Sequence, residues 1–145
     1  MKPVNEMKLC FESRSCNESF ARSAVAAFIS VLDPNVEELS DIKTAISEAV
    51  TNSIVHGYKD EIGPVYIHVK IFEGARIWVS IKDKGCGILD IKKAMEPLYT
   101  TCETGERAGL GFSIMESFMD KIRVRSKPGK GTSVTLEKSI VSKGK

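Results

Sequence analysis

The sequence predicts a two-layer α/β sandwich, a mostly antiparallel sheet covered on one face by helices. Three observations carry this prediction. Segments near 7–11, 65–71, 77–83, 122–125 and 132–136 alternate apolar with polar residues, so each offers one apolar face. Helical periodicity fills the spaces after the first segment and before the fourth. The 145 residues, 42% of them apolar, suffice for one core, so residues 1–145 are expected to form a single domain.

Each element follows from local chemistry. Met7, Leu9 and Phe11 alternate with Glu6, Lys8 and Glu12 in an opening strand. Asn17 and Ser19 are candidate caps for a helix through Phe20, Val25, Phe28, Ile29 and Leu32. Asp33-Pro34 ends it and starts a second helix, with the proline in its first turn, that runs to about Tyr58 with Gly57 at its end. Val65, Ile67, Val69 and Ile71, the turn Glu73-Gly74, then Ile77, Val79 and Ile81 form a hairpin pattern. Residues 84–108 read as mostly irregular, and a long structureless stretch in a small domain is usually functional. A short helix from about Leu110 to Asp120 and a hairpin around Pro128-Gly129-Lys130-Gly131 close the chain.

Bulk properties exclude several classes. The net charge of +2 is unevenly spread: residues 1–62 carry ten acids and six bases, residues 121–145 one acid and eight bases. Arg123 and Arg125 alternate with Ile122 and Val124, the pattern of a wet strand face, and no basic motif interleaves aromatics, so no direct nucleic-acid contact is expected. No apolar run reaches the length of a membrane span, and the N-terminus does not read as a signal peptide, so we expect a cytoplasmic protein without membrane contact. Cys10, Cys16, Cys86 and Cys102 lack zinc-site spacing and read as unpaired thiols.

Three short motifs carry the chemistry. The first is Glu48-x-x-x-Asn52-x-x-x-His56 on the second helix. Residues four apart share a face, each roughly 40° further round. Leu39, Ile42, Ala45, Ile46, Ala49, Val50, Ser53 and Ile54 form the core stripe; Asn52 and His56 fall inside its margin, and Glu48 sits beside it. Polar groups at a core boundary need satisfaction, either by a ligand or by backbone at a helix edge. The second motif is Asp83-x-Gly85-x-Gly87. Asp83 is in phase with Ile77, Val79 and Ile81, so its carboxylate points to the core side and needs a donor; an adenine amino group is one such donor, a strand-ending Asp-Gly turn the plainer reading. Thr132 is in phase with Val134 and Leu136 and also faces inward. The third is Gly105-x-x-x-Gly109-Leu110-Gly111, opening a helix whose free N–H groups suit phosphates, with Arg107 close enough for a terminal phosphate; a plain glycine-rich loop is its alternative. A Walker loop is excluded by spacing at residues 127–132. His68 is expected on an exposed strand face.

In this order the motifs resemble the N-box and the two G-boxes of the GHKL superfamily, whose nucleotide-binding module is the Bergerat fold, an α/β sandwich. His56-Gly57-Tyr58 looks like the anti-sigma-factor serine kinases. Asn17-Glu18-Ser19-Phe20-Ala21-Arg22, Ser47-Glu48-Ala49-Val50-Thr51-Asn52 and Ile114-Met115-Glu116-Ser117-Phe118-Met119-Asp120 are similar to the anti-sigma-F group of endospore-forming bacteria. The resemblance implies ATP or ADP with Mg2+ as cofactors. Asn52 would hold the metal and Asp83 would read adenine. Gly85, Gly87, His56 and Thr132 would shape the base pocket. Thr100, Thr101, Gly105, Gly109, Leu110 and Gly111 would belong to the lid and phosphate site, with Arg107 near the γ-phosphate. Thr100-Thr101 is followed here by Cys102-Glu103, where such kinases often have Lys-Pro. Glu48 would be the base that takes a proton from an attacking hydroxyl, a role histidine kinases, which usually carry Asn there, do not need. Implied partners are sigma factor F, the anti-anti-sigma factor SpoIIAA and a second copy of the chain, with Arg22 a candidate partner contact. The alternatives are a stress-response kinase for another sigma factor, a gyrase- or MutL-type ATPase needing transducer domains, and a pure binding module, which Glu48 and Asn52 disfavour.

Overall fold

The computed structural model describes residues 1–95 and 111–141. The alternating segments become β1 (Asn5–Glu12), β2 (Pro64–Phe72), β3 (Arg76–Asp83), β4 (Lys121–Lys127) and β5 (Gly131–Ser139). They form one sheet in the order β1-β2-β3-β5-β4, with every neighbouring pair antiparallel. The helices are α1 (Cys16–Ile29), α2 (Val36–Thr51), the single turn α3 (Ile91–Ala94) and α4 (Phe112–Phe118).

Strand phase decides which side is covered. Val65, Ile67, Val69, Ile77, Val79, Ile81, Val134 and Leu136 are buried on one face against Ala21, Val25, Ile29, Ile42, Ile46 and Met115 of the helices. Truncating one such residue, Ile81→Ala for instance, costs about 2–5 kcal/mol through lost burial and a cavity. α2 packs between α1 and α4. The other sheet face has no helix over it among the described residues. There His68 is half-buried rather than exposed: it pairs with Glu6 at 2.8 Å and meets the Trp78 ring edge-on at 5.5 Å.

Two local expectations are corrected and a third is refined. α1 starts at Cys16 without a side-chain cap, because the Asn17 amide instead donates to Glu12 O at 2.9 Å and ties helix to strand. Asn35, not Pro34, begins α2: its side chain accepts from Glu38 N at 2.7 Å while Glu38 Oε1 accepts from Asn35 N at 3.0 Å, a reciprocal capping box. Glu38 is buried, and its other oxygen accepts from Val141 N at 2.9 Å, pinning the chain beyond β5 to α2. The stretch 84–108, read as mostly irregular, contains the helical turn α3.

The end of α2 shapes the cleft. The helix does not continue in α geometry to Gly57; Asn52–Gly57 form a π turn, with Tyr58 N donating to Ser53 O at 2.9 Å. A π turn widens the helix and rotates side chains away from the positions an α wheel gives, and such turns gather at functional sites. Ser53, placed in the apolar stripe by the wheel, thereby becomes a buried polar group aimed at β3.

Candidate functional site

The site forms where the π turn crosses the ends of β3 and β5. Sheet register brings Asp83 opposite Thr132, and Thr132 opposite Ser126. Asp83 is 4% exposed, as its phase predicts, and its carboxylate has protein donors. Ser53 Oγ donates to Oδ2 at 2.8 Å; Gly85 N and Thr132 N donate to Oδ1 at 2.9 and 3.3 Å. Burial still pushes the Asp83 carboxyl above its ordinary value, because desolvation outweighs these three bonds. The protein holds a carboxylate in a place where the charged form is disfavoured, which is common at sites that need it.

A narrow cleft opens beside this carboxylate. Asn52, Ser53, His56, Asp83, Gly87 and Thr132 line its polar side; Ala49, Ile88, Phe112 and Val134 line the apolar side. Asn52 is 9% exposed, and it lies beside the π turn's other cleft residues. The turn after β3 is held close to the π turn: Cys86 N donates to Gly57 O at 2.8 Å, and a Cβ on Gly85 would lie 2.2 Å from that same oxygen. Only glycine allows this approach. Tyr58, to which the sequence pattern gives no role beyond ending the helix, braces the turn from outside. Its hydroxyl donates to Pro64 O at 2.6 Å and accepts from Lys84 N at 2.7 Å.

The third motif reaches the first at Gly111. This residue caps α4 in the left-handed region, at φ 75°, and a Cβ there would sit 2.2 Å from Glu48 Oε1. Thus Glu48 and Gly111, 63 positions apart by subtraction of their numbers, are in contact, as are Ser53 of the first motif region and Asp83 of the second. Thr100, Thr101, Gly105, Arg107, Gly109 and Leu110 lie outside the described residues, as does Cys102. Cys10, Cys16 and Cys86 are free thiols.

Arg22 stands in an unexpected place. It is not simply solvated: its guanidinium donates to Glu18 Oε2 and to Ser47 Oγ, both at 3.2 Å, and Ser47 Oγ also donates to Glu18. Arg22, Ser47 and Glu48 share a groove of about 520 Å³ between α1 and α2. Another concavity, about 600 Å³, lies on the uncovered sheet face around Lys8, His68 and Lys82 and touches the second motif only through Lys84.

Known proteins resemble this chain in sequence and in fold. The histidine kinase-like ATPase domain model matches residues 11–138. An anti-sigma F factor of Thermoanaerobacter sp. (strain X514) is 54% identical over 98% of this chain and 99% of its own length. One from Clostridium novyi (strain NT) is 55% identical over 95% and 96%. The chain belongs to the anti-sigma F factor family. Its fold is that of the histidine kinase-like ATPases, and solved structures agree. The RsbU and RsbW domains of a Mycobacterium tuberculosis protein superpose with TM-score 0.70 at 18% identity, covering 95% of this chain and 32% of that one. The catalytic domain of the histidine kinase ThkA gives 0.58 at 16% identity, covering 94% and 97%. No helix among the described residues is long and apolar enough to cross a membrane.

Proposed function

We propose that this protein is an ATP-dependent protein serine/threonine kinase that doubles as an anti-sigma factor. It binds sigma factor F, keeps it from RNA polymerase, and phosphorylates a serine of the anti-anti-sigma factor SpoIIAA, in the cytoplasm of a sporulating cell. The observation that carries the reading is the meeting of distant parts of the chain: Glu48 touches Gly111, and Asp83 meets Thr132 in a cleft also lined by Ala49 and Phe112, next in sequence to Glu48 and Gly111.

The residues suit a nucleotide. Asp83 and Thr132 present oxygens to the cleft, where an adenine amino group would donate, between the apolar walls of Ala49 and Val134. Among the described residues no cluster of three or more His, Cys, Asp or Glu could hold a metal. Asn52 would instead hold Mg2+ together with phosphate and water, the usual coordination of this hard ion. When bound, that ion neutralises the triphosphate. Gly111, with Gly105, Gly109, Leu110, Thr100 and Thr101, would enclose the phosphates, and Arg107 would stabilise charge on the transferred group. Glu48 is half-buried, lines the α1–α2 groove, precedes Ala49 of the cleft in sequence and lies in contact range of Gly111. It would accept the proton of the seryl hydroxyl, an effect worth about 10²–10⁴-fold.

The groove explains how an acceptor reaches the base. Arg22 lines the same groove as Glu48, so a partner docked on α1 would bring its serine toward the carboxylate. The family resemblance adds a homodimer. Incubation with labelled ATP, Mg2+ and SpoIIAA, then mapping of the label, tests the proposal: one phosphoserine on SpoIIAA, absent with Glu48→Ala, is expected. Label on histidine, or ATP hydrolysed with none transferred, would overturn it.

A further inference from the structure

The hydroxyl of Ser126 lies outside the lining of the cleft and has three polar partners. Ile88 N donates to Ser126 Oγ at 2.7 Å. Ser126 Oγ lies 3.0 Å from Gly131 O and 2.8 Å from Thr132 Oγ1. A serine hydroxyl has one proton. Gly131 O is a carbonyl and can only accept, so the Ser126 proton belongs there; otherwise two lone-pair-bearing oxygens would face each other at 3.0 Å with no hydrogen between. Thr132 must then donate to Ser126. Its own proton is spent behind the wall, and what it turns to the cleft is lone pairs.

Asp83 has the same polarity. Ser53, Gly85 and Thr132 all donate to it, leaving only accepting capacity toward the cleft. We infer that Ser126 is a positioning residue for base recognition: it locks Thr132 as an acceptor, so that Thr132 and Asp83 form an acceptor-only wall that selects purines bearing a 6-amino group and rejects 6-oxo purines. This rests on the nucleotide reading above and adds to it the residue that sets its selectivity. A 6-oxo oxygen would meet two acceptors in a desolvated cleft, and unpaired polar atoms there are costly.

The probes are ATP and inosine triphosphate, with Mg2+, titrated calorimetrically into the full chain. Wild type is expected to prefer ATP by about 100-fold or more. Ser126→Ala releases the Thr132 proton to turn toward a 6-oxo group, so the preference narrows by about tenfold, chiefly through tighter inosine triphosphate. Ser126→Thr keeps a hydroxyl and restores the wild-type ratio. Thr132→Val, which removes the acceptor and leaves Ser126 bonded to Ile88 N and Gly131 O, narrows the ratio by weakening ATP instead. A folded Ser126→Ala with an unchanged ratio overturns the inference, as does a wild type that binds both nucleotides alike. Should Ser126→Ala fail to fold, a Thr132→Val ratio equal to wild type overturns it too. A wild type that binds neither nucleotide sinks the nucleotide reading itself, a separate and distinguishable failure.

Discussion

Gly111→Ala separates strain from function. The substituted Cβ would lie 2.2 Å from Glu48 Oε1, whereas ordinary contact begins at 3.4 Å, so the carboxylate must retreat by about 3.4 − 2.2 = 1.2 Å. Glu48 Oε1 is the far end of a flexible side chain, so this retreat is cheap in stability. Holding alanine at φ 75° costs about 1 kcal/mol more. Gly74→Ala is the control: its φ is 82°, and a Cβ there meets nothing within 4 Å. Both variants should therefore lose about 1–2 kcal/mol, roughly 3–6 °C in Tm for a domain of this size. Only Gly111→Ala displaces the proposed base, and a misplacement near 1 Å lowers phosphoryl transfer by about 100-fold. Thermal melts and single-turnover transfer at saturating ATP measure the two effects. Equal transfer by both variants would refute the role assigned to the Glu48–Gly111 contact.

Other residues give outcomes of their own. Glu48→Ala should keep ATP affinity and lose transfer by about 10²–10⁴-fold; undiminished transfer removes Glu48 as base. Asp83 has a raised pKa, so its ionised form disfavours the empty fold as pH rises through that value, while adenine recognition needs that same form. ATP affinity should accordingly fall as pH drops from neutral through the Asp83 titration more steeply in wild type than in Asp83→Asn, and parallel calorimetric profiles would contradict this. Asn35→Ala removes one half of the capping box at the start of α2 and should cost about 1 kcal/mol in urea unfolding, with no change in nucleotide affinity.

How far the sequence alone reaches depends on the range of the cause. Alternation along 65–71 and 77–83 depends only on neighbours, so the strands, their apolar face and the inward aim of Asp83 were legible. The capping box was legible too, as Asn35-x-x-Glu38, but was masked by the stronger stop signal of Pro34. Ser53 was legible as a buried residue, but its bond to Asp83 was not, because a 100° wheel cannot show a π turn, whose Gly57 O accepts from Cys86 N in the turn after β3. Ser126 and Tyr58 act across register pairs and turns far apart in the chain, and no local pattern marks either one. Arg22 needed the α1–α2 packing to reveal that it shares a groove with Glu48.

The most direct test of the central claim is calorimetric titration of the purified chain with ATP and Mg2+, alongside Asp83→Asn. Saturable binding by wild type, weakened selectively for adenine nucleotides in the variant, is predicted. Absence of any adenine-nucleotide uptake by a folded wild-type chain would contradict it.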